Sequence, residues 1–178
     1  VPSQWELQGF GEYTYGRWYK AGLKNPSMEQ GFYEYSFALP RNWKDKQVEI
    51  VFEGVMTDAE VKINGQSAGE MHQGGFYRFA YNITEKLKFS GKNKLEVKVS
   101  KHSADRLVNA AERRADWWLF GGIYRPVFLT AKPSNHIERI AVNAKANGEF
   151  YADIFTNRLA EGFTLEYTVK PLRGNATS

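Results

Sequence analysis

Three features of the sequence predict an all-β protein: a jelly-roll sandwich over residues 1–134, followed over 135–178 by further strands. Apolar residues recur at every second position in run after run, which is the period of a strand with one buried face. Gly, Asn and Pro stand between the runs as turn formers. Helical spacing is nearly absent, and short strands at regular separation build sandwiches and barrels.

The elements follow in order. Tyr33, Tyr35, Phe37 and Leu39 alternate with Glu34, Ser36 and Ala38. Val48, Ile50 and Phe52 alternate with Gln47, Glu49 and Val51, and Val61 and Ile63 with Glu60 and Lys62. Asn64-Gly65 then supplies the positive-φ pair of a tight hairpin. Leu95, Val97 and Val99 repeat the pattern against Glu96, Lys98 and Ser100. Between Ser103 and Arg114, Leu107, Val108 and Ala111 fall at helical spacing behind a candidate Ser103 cap, so a short helix or an irregular loop is expected there. Two sheets joined by one long excursion fit a jelly roll, and such an excursion is where binding residues are carried. Tyr124 and Phe128 read as core positions of a last strand. After Lys132-Pro133-Ser134-Asn135 the composition shifts, and three further strands are expected at His136–Ala144, Glu149–Thr156 and Phe163–Lys170.

With 178 residues, 42% hydrophobic and 15% aromatic, the chain has material for one packed domain and a fragment of another. No stretch approaches the roughly 20 apolar residues of a membrane-spanning helix, and no signal-peptide pattern opens the chain, although a removed leader is left open. The absence of cysteine excludes disulfides and thiolate metal sites, and leaves the compartment open between bacterial cytoplasm and periplasm. A net charge of +4 is spread over strands that carry acids between the bases, which argues against a nucleic-acid surface. The densest cluster, Arg113-Arg114 between Glu112 and Asp116, reads as a solvated loop.

The most specific run is Asp116-Trp117-Trp118-Leu119-Phe120-Gly121-Gly122-Ile123-Tyr124-Arg125-Pro126-Val127-Phe128-Leu129. It resembles the signature of glycoside hydrolase family 2, the family of β-galactosidases and β-glucuronidases. Weaker phrases in the order of that family support it. They are Trp5–Phe10, resembling the opening strand, Gly31–Pro40, Val51–Val55, Ala59–Gly65, Gly74–Phe79, Asn82–Thr84, Asn93–Val99, Lys132-Pro133 and His136-Ile137. The resemblance implies a galactose-binding-domain-like jelly roll leading into an immunoglobulin-like sandwich. A sandwich of that second kind needs roughly 100 residues, more than twice the stretch from His136 to Ser178. Its sheet therefore cannot close, and unpaired strand edges are expected.

Family resemblance also implies a retaining exo-β-glycosidase as the parent, which hydrolyses O-glycosidic bonds in carbohydrate metabolism. Such enzymes need two carboxyl groups about 5 Å apart. In the family both are glutamates on a (β/α)8 barrel of around 250 residues, for which this chain has no room. The chain itself is thus expected to carry no catalytic residue and no activity, and its partners are a barrel of the same polypeptide and a β-linked sugar. Asp116 matches the acid that takes hydrogen bonds from sugar hydroxyls and, in β-galactosidases, helps hold a sodium ion. A carboxylate offers two oxygens to a polyol and suits a hard cation. The bland alternative is that Asp116 caps a turn or pairs with Arg113, Arg114 or Arg125. Trp117, Trp118 and Phe120 could stack on sugar faces or bury themselves at a domain seam. Where β-galactosidases carry an Asn that touches substrate, the phrase Tyr13-Thr14-Tyr15-Gly16-Arg17 offers Arg17 or its neighbour Gly16. A guanidinium there favours carboxylates or a different sugar, so galactoside and glucuronide both stay open.

Other chemistries lack support. His72, His102 and His136 share no metal-ligand spacing, and no metal site is expected. Gly9-Phe10-Gly11, Gly74-Gly75 and Gly121-Gly122 lack the strand-then-helix setting of a phosphate loop. Glu53, Glu60, Glu70 and Glu96 read as surface partners of neighbouring bases. An autonomous carbohydrate-binding module with its own concave site is the alternative to an enzyme domain, and homo-oligomerisation is left open.

Overall fold

A computed structural model of the chain describes residues 1–22, 28–157, 162, 164–168 and 170. The chain divides into two compact units, Val1–Pro133 and Ser134–Ser178.

In the first unit two antiparallel sheets face each other. One has the order β2-β7-β4-β5 and comprises β2 (Gln30–Phe37), β4 (Asp58–Ile63), β5 (Gln66–Ser67) and β7 (Asn93–Ser100). The other has the order β6-β3-β9 and comprises β3 (Lys46–Phe52), β6 (Phe79–Asn82) and β9 (Val127–Pro133). Register explains the core. Val61 lies opposite Val97, Ala59 opposite Val99, Ile50 opposite Leu129 and Phe52 opposite Val127, so the alternating apolar residues of each strand share one inward face. Val48, Ile50, Phe52, Val61, Ile63, Val97 and Val99 are buried together. Each contributes roughly 1.5–3 kcal/mol relative to an exposed side chain. The expected Asn64-Gly65 hairpin is present, with φ of 52° and 80° joining β4 to β5.

A third, two-stranded sheet pairs β1 (Thr14–Tyr15) with β8 (Trp118–Leu119). The helix α1 (Gly16–Lys20) follows β1 directly, and α2 (Arg106–Glu112) lies in the long excursion between β7 and β8. In the second unit β10 (Ile137–Ala144) and β11 (Phe150–Thr156) form an antiparallel hairpin. Ile137, Ile140, Val142, Phe150, Tyr151 and Phe155 on it are exposed.

Several sequence-based expectations are corrected. Trp5–Phe10 is no strand: Glu6–Gln8 form a single 3-10 turn that ends at Gly9 with φ of 84°, because Trp5 turns its ring inward to the core. The helix in the excursion is capped by Asp105, not Ser103, since Asp105 Oδ1 accepts from the N–H groups of Leu107 at 2.6 Å and Val108 at 3.4 Å. Helix α1 carried no period long enough to read. Tyr124 precedes the last strand, and Phe128 falls on the outward parity of β9, whose inward residues are Val127, Leu129 and Ala131. Of the third expected strand of the second unit, Phe163 and Val169 lie outside the described residues, and 164–168 with Lys170 are not in a strand.

Among the acids read as surface partners, Glu60 pairs with Lys98 across β4 and β7 at 2.9 Å, Glu96 with Lys94 at 3.0 Å and Glu53 with Arg78 at 3.6 Å. For Glu70, the backbone carbonyl accepts from the Tyr81 hydroxyl at 2.5 Å.

Candidate functional site

The loop before β8 is held from beneath by buried charge. Lys101 and Glu6 have fully buried side chains, with Nζ 2.7 Å from Glu6 Oε1 and 3.2 Å from Glu29 Oε2. Both Glu6 carboxylate oxygens accept from the Gly121 N–H at 3.1 Å. Lys101 also donates to the Glu12 carbonyl at 2.5 Å, and Trp5 Nε1 donates to Glu29 at 3.2 Å. Charges taken out of water persist only when paired and hydrogen-bonded, so this cluster locks residues 5–12 to the Gly121-Gly122 turn. Gly121 is required here because a Cβ would run into the Trp5 ring. At Gly16 a Cβ would meet the Ala115 carbonyl oxygen, and the bare backbone instead donates its N–H to Trp117 O at 2.8 Å.

That scaffold brings β1, α1 and β8 together around Asp116. Tyr15 lies opposite Trp118 in register. The Tyr15 hydroxyl donates to Asp116 Oδ1, and the Arg17 guanidinium pairs with Asp116 Oδ2. The structure therefore brings together all four residues singled out in sequence, Arg17, Asp116, Trp117 and Trp118. The acid's partner is Arg17, carried by the first turn of α1, rather than Arg113, Arg114 or Arg125. Both members of this pair are largely exposed, so it orients the carboxylate more than it stabilises the fold.

Tyr15 is a site residue that sequence reasoning missed. Its Thr-Tyr-Gly setting looks like any strand end, and only pairing across a hundred residues of chain places its hydroxyl on the acid.

Trp117 and Trp118 are each 45% exposed. Trp118 is the centre of an aromatic group: Tyr15 lies 5.3 Å away between ring centroids, Trp18 5.9 Å and Tyr13 6.1 Å. Three of these contacts, Tyr13 and Trp18 on Trp118 and Trp18 on Tyr15, are edge-to-face, the arrangement favoured by ring quadrupoles. Tyr15, Met56, Phe76, Arg113, Asp116, Trp117, Trp118 and Phe120 line an open depression of about 680 Å³. Among the described residues Asp116 is the one carboxylate on its wall.

Arg113, read in sequence as solvated, is buried. The excursion folds back so that its Nη1 donates to the Phe120 carbonyl at 3.1 Å, while Nε and Nη2 have no hydrogen-bond partner among the described residues. Burial lowers its pKa to about 10, against the opposing fields of Glu112, Glu6 and Asp58. Glu112 beside it accepts from the Gly75 N–H at 2.7 Å, and Tyr124 donates to the Gly75 carbonyl at 2.8 Å, so Gly74-Gly75 is a pinned turn. Among the described residues no three acids, histidines or cysteines come together as metal ligands.

An aromatic wall with an oriented carboxylate has the chemistry that suits a polyol. Comparison with known proteins gives the family of the domain that carries it. Residues 1–133 match the family model described as glycosyl hydrolases family 2, sugar binding domain. The chain is 31% identical over 139 residues to a putative beta-glucuronidase of Formosa agariphila, covering 78% of this chain and 15% of that protein. It is 38% identical over 111 residues to a beta-galactosidase of Thermoanaerobacter pseudethanolicus, covering 61% of this chain and 14% of that protein. The crystal structure of Bacteroides uniformis beta-glucuronidase superposes with a TM-score of 0.62 at 32% identity, over 78% of this chain and 15% of that one. The chain thus spans about 15% of the length of the curated relatives it matches. It belongs to glycosyl hydrolases family 2, and its first 133 residues are the sugar-binding domain of that family.

Proposed function

We propose that this chain is the non-catalytic sugar-binding part of a longer retaining exo-β-glycosidase. In this reading Asp116 accepts hydrogen bonds from hydroxyls of the sugar whose bond is cleaved, and a (β/α)8 barrel of the same polypeptide supplies both catalytic glutamates. The observation that carries it is the oriented Asp116 carboxylate on the same open depression as two half-exposed indoles. Each oxygen spends one lone pair on Tyr15 or Arg17 and keeps acceptor capacity for a hydroxyl. Trp117 and Trp118 offer apolar faces to a pyranose or to the barrel. Arg17 keeps N–H donors beyond its bond to Asp116, which suits a substrate acceptor such as a ring hydroxyl or a uronate carboxylate. Relatives named for both β-galactosidase and β-glucuronidase activity match the chain, so β-galactosides and β-glucuronides are the two substrate classes to test.

A sodium ion at Asp116 fits these residues poorly. The guanidinium of Arg17 already meets the carboxylate's charge, and among the described residues no second acid lines the depression. The reading is tested by assaying the parent polypeptide and the 178-residue chain against aryl β-galactosides and β-glucuronides. Turnover by the parent alone is expected. Turnover by the 178-residue chain above a matched preparation control, or an inert parent, would sink the proposal.

A further inference from the structure

Arg113 is a buried cation with one edge of its fork unused. The residue is 2% exposed. Only Nη1 has contacts, the Phe120 carbonyl at 3.1 Å and the Met56 sulfur at 4.0 Å, while among the described residues Nε and Nη2 find no acceptor. None of the ion pairs among the described residues includes it. The acids whose fields reach it meet other donors: Glu6 has Lys101 and the Gly121 N–H, Glu112 the Gly75 N–H, and Asp58 the Ala104 N–H at 2.7 Å. A buried charge without a counter-charge is strongly unfavourable, and buried N–H donors left open add to the cost.

Nε and Nη2 share one edge of the planar guanidinium, where their N–H bonds run side by side. That edge matches the two oxygens of a carboxylate, whereas a single carbonyl oxygen has one site for two donors. Arg113 also stands on the wall of the depression that holds Asp116, Trp117 and Trp118. Asp116 is paired with Arg17, so two guanidinium groups meet one carboxylate there. Phe76, Trp117 and Trp118 on the same wall are nearly half exposed, and side chains of that kind change rotamer readily as a ligand enters. We propose that an Asp or Glu side chain of the same polypeptide, from outside these 178 residues, enters this depression and pairs bidentately with Nε and Nη2 of Arg113. The inference rests on the reading of the chain as part of a longer enzyme. A uronate of the substrate has the same chemistry, but it comes and goes, and would strand a buried cation between turnovers. Because Nη1 holds the Phe120 carbonyl, the pair fixes the run that carries Asp116 against the incoming segment, and Arg113 is a positioning residue.

The test uses the parent polypeptide and its Arg113→Gln variant. Carboxylates are amidated with glycine ethyl ester and a carbodiimide, and the products are read peptide by peptide by mass spectrometry. One acid outside these 178 residues should label at least ~10-fold faster in the variant, because a buried, paired carboxylate reacts only on local opening. A rise confined to acids of residues 1–178, a rise spread over many acids as in general loosening, or no rise would overturn the proposal. So would a KM raised for aryl β-glucuronides alone with no acid unmasked, since Arg113 would then meet the substrate. If Arg113→Gln does not fold, photo-crosslinking from p-benzoylphenylalanine in place of Phe76 decides the matter. A crosslink to a segment outside these residues that carries an Asp or Glu is expected, while one confined to the 178 residues, or none, would overturn it. Labelling needs no turnover, so its failure leaves the glycosidase reading standing, and an inert parent leaves the labelling result standing.

Discussion

Replacing Lys101 by Met should destabilise the 178-residue chain by about 3 kcal/mol. Lys101 is the cation between Glu6 and Glu29, and Met keeps its length and apolar stem while removing the charge. Truncating one partner of a buried pair costs about 3–5 kcal/mol, because the remaining charge is stranded in a medium that solvates it poorly. Here the lower end applies. Glu29 is partly open to water and retains donors from Trp5 and from the Glu12 N–H, whereas Glu6 is fully buried and among the described residues keeps only the Gly121 N–H. Urea unfolding followed by tryptophan fluorescence reads the loss as a fall in midpoint at constant slope. A second variant separates charge from packing. Adding Glu6→Gln to Lys101→Met leaves a neutral acceptor facing Gly121, so the double variant should recover more than 1 kcal/mol of the loss, a coupling of the size measured for residues in one network. A Lys101→Met chain within about 1 kcal/mol of the original, or no recovery in the double variant, would refute the account of the Gly121-Gly122 turn as held by buried charge.

Four further outcomes are expected. Asp116→Asn in the parent polypeptide keeps the shape and removes charge-assisted hydrogen bonds of about 1.5–3 kcal/mol each, lowering kcat/KM by roughly tenfold to a few hundredfold; a change within twofold would show that the acid does not meet the sugar. Trp118→Ala should reduce stability more than sugar affinity, since its ring holds Tyr13, Tyr15 and Trp18, and thermal unfolding beside a KM measurement distinguishes the two. Gly121→Ala drives a Cβ into Trp5 and should cost about 1–3 kcal/mol in urea unfolding, whereas Gly148→Ala, where nothing lies within 4 Å, tests the positive-φ strain alone. His72 stacks on Phe79, and burial lowers its pKa despite the fields of Asp58 and Glu112. Its unfolded form therefore takes up a proton first as pH falls through about 6.5, so stability present above that value is lost below it until the folded form protonates too. The drop between pH 7.5 and 5.5 should shrink in His72→Phe, and an unchanged drop would assign it to other groups.

The strands were legible because their information is local. In β3, β4 and β7 each inward residue announces itself by parity, and Asn64-Gly65 demands positive φ wherever it occurs. The same logic failed where parity had no partner to check it. Phe128 belongs to an apolar-looking strand but sits on its outer face, and Trp5 enters the core from a 3-10 turn that no alternation foretold. Tyr35 has the inward parity of a core residue and stands largely in water, because cover depends on what lies across from it and not on its own strand.

For the site, the residues Asp116, Trp117, Trp118 and Arg17 could be picked out because their run resembles a family signature and a cation stands where an amide is usual. Their relation could not. Asp116 had three nearby arginines as candidate partners in sequence, and the one that reaches it is Arg17, about a hundred positions away, delivered by the pairing of β1 with β8. Arg113 shows the reverse: adjacent charges suggested a solvated loop, yet folding the excursion under Phe120 buried its guanidinium. Sequence alone determined that the chain is β, where its main strands run and which family it resembles, since those depend on period, turn chemistry and motif. Only the tertiary structure decided which cation orients Asp116 and which charges are buried beneath it, because each is a contact between segments far apart in the chain, set by the closure of two sheets.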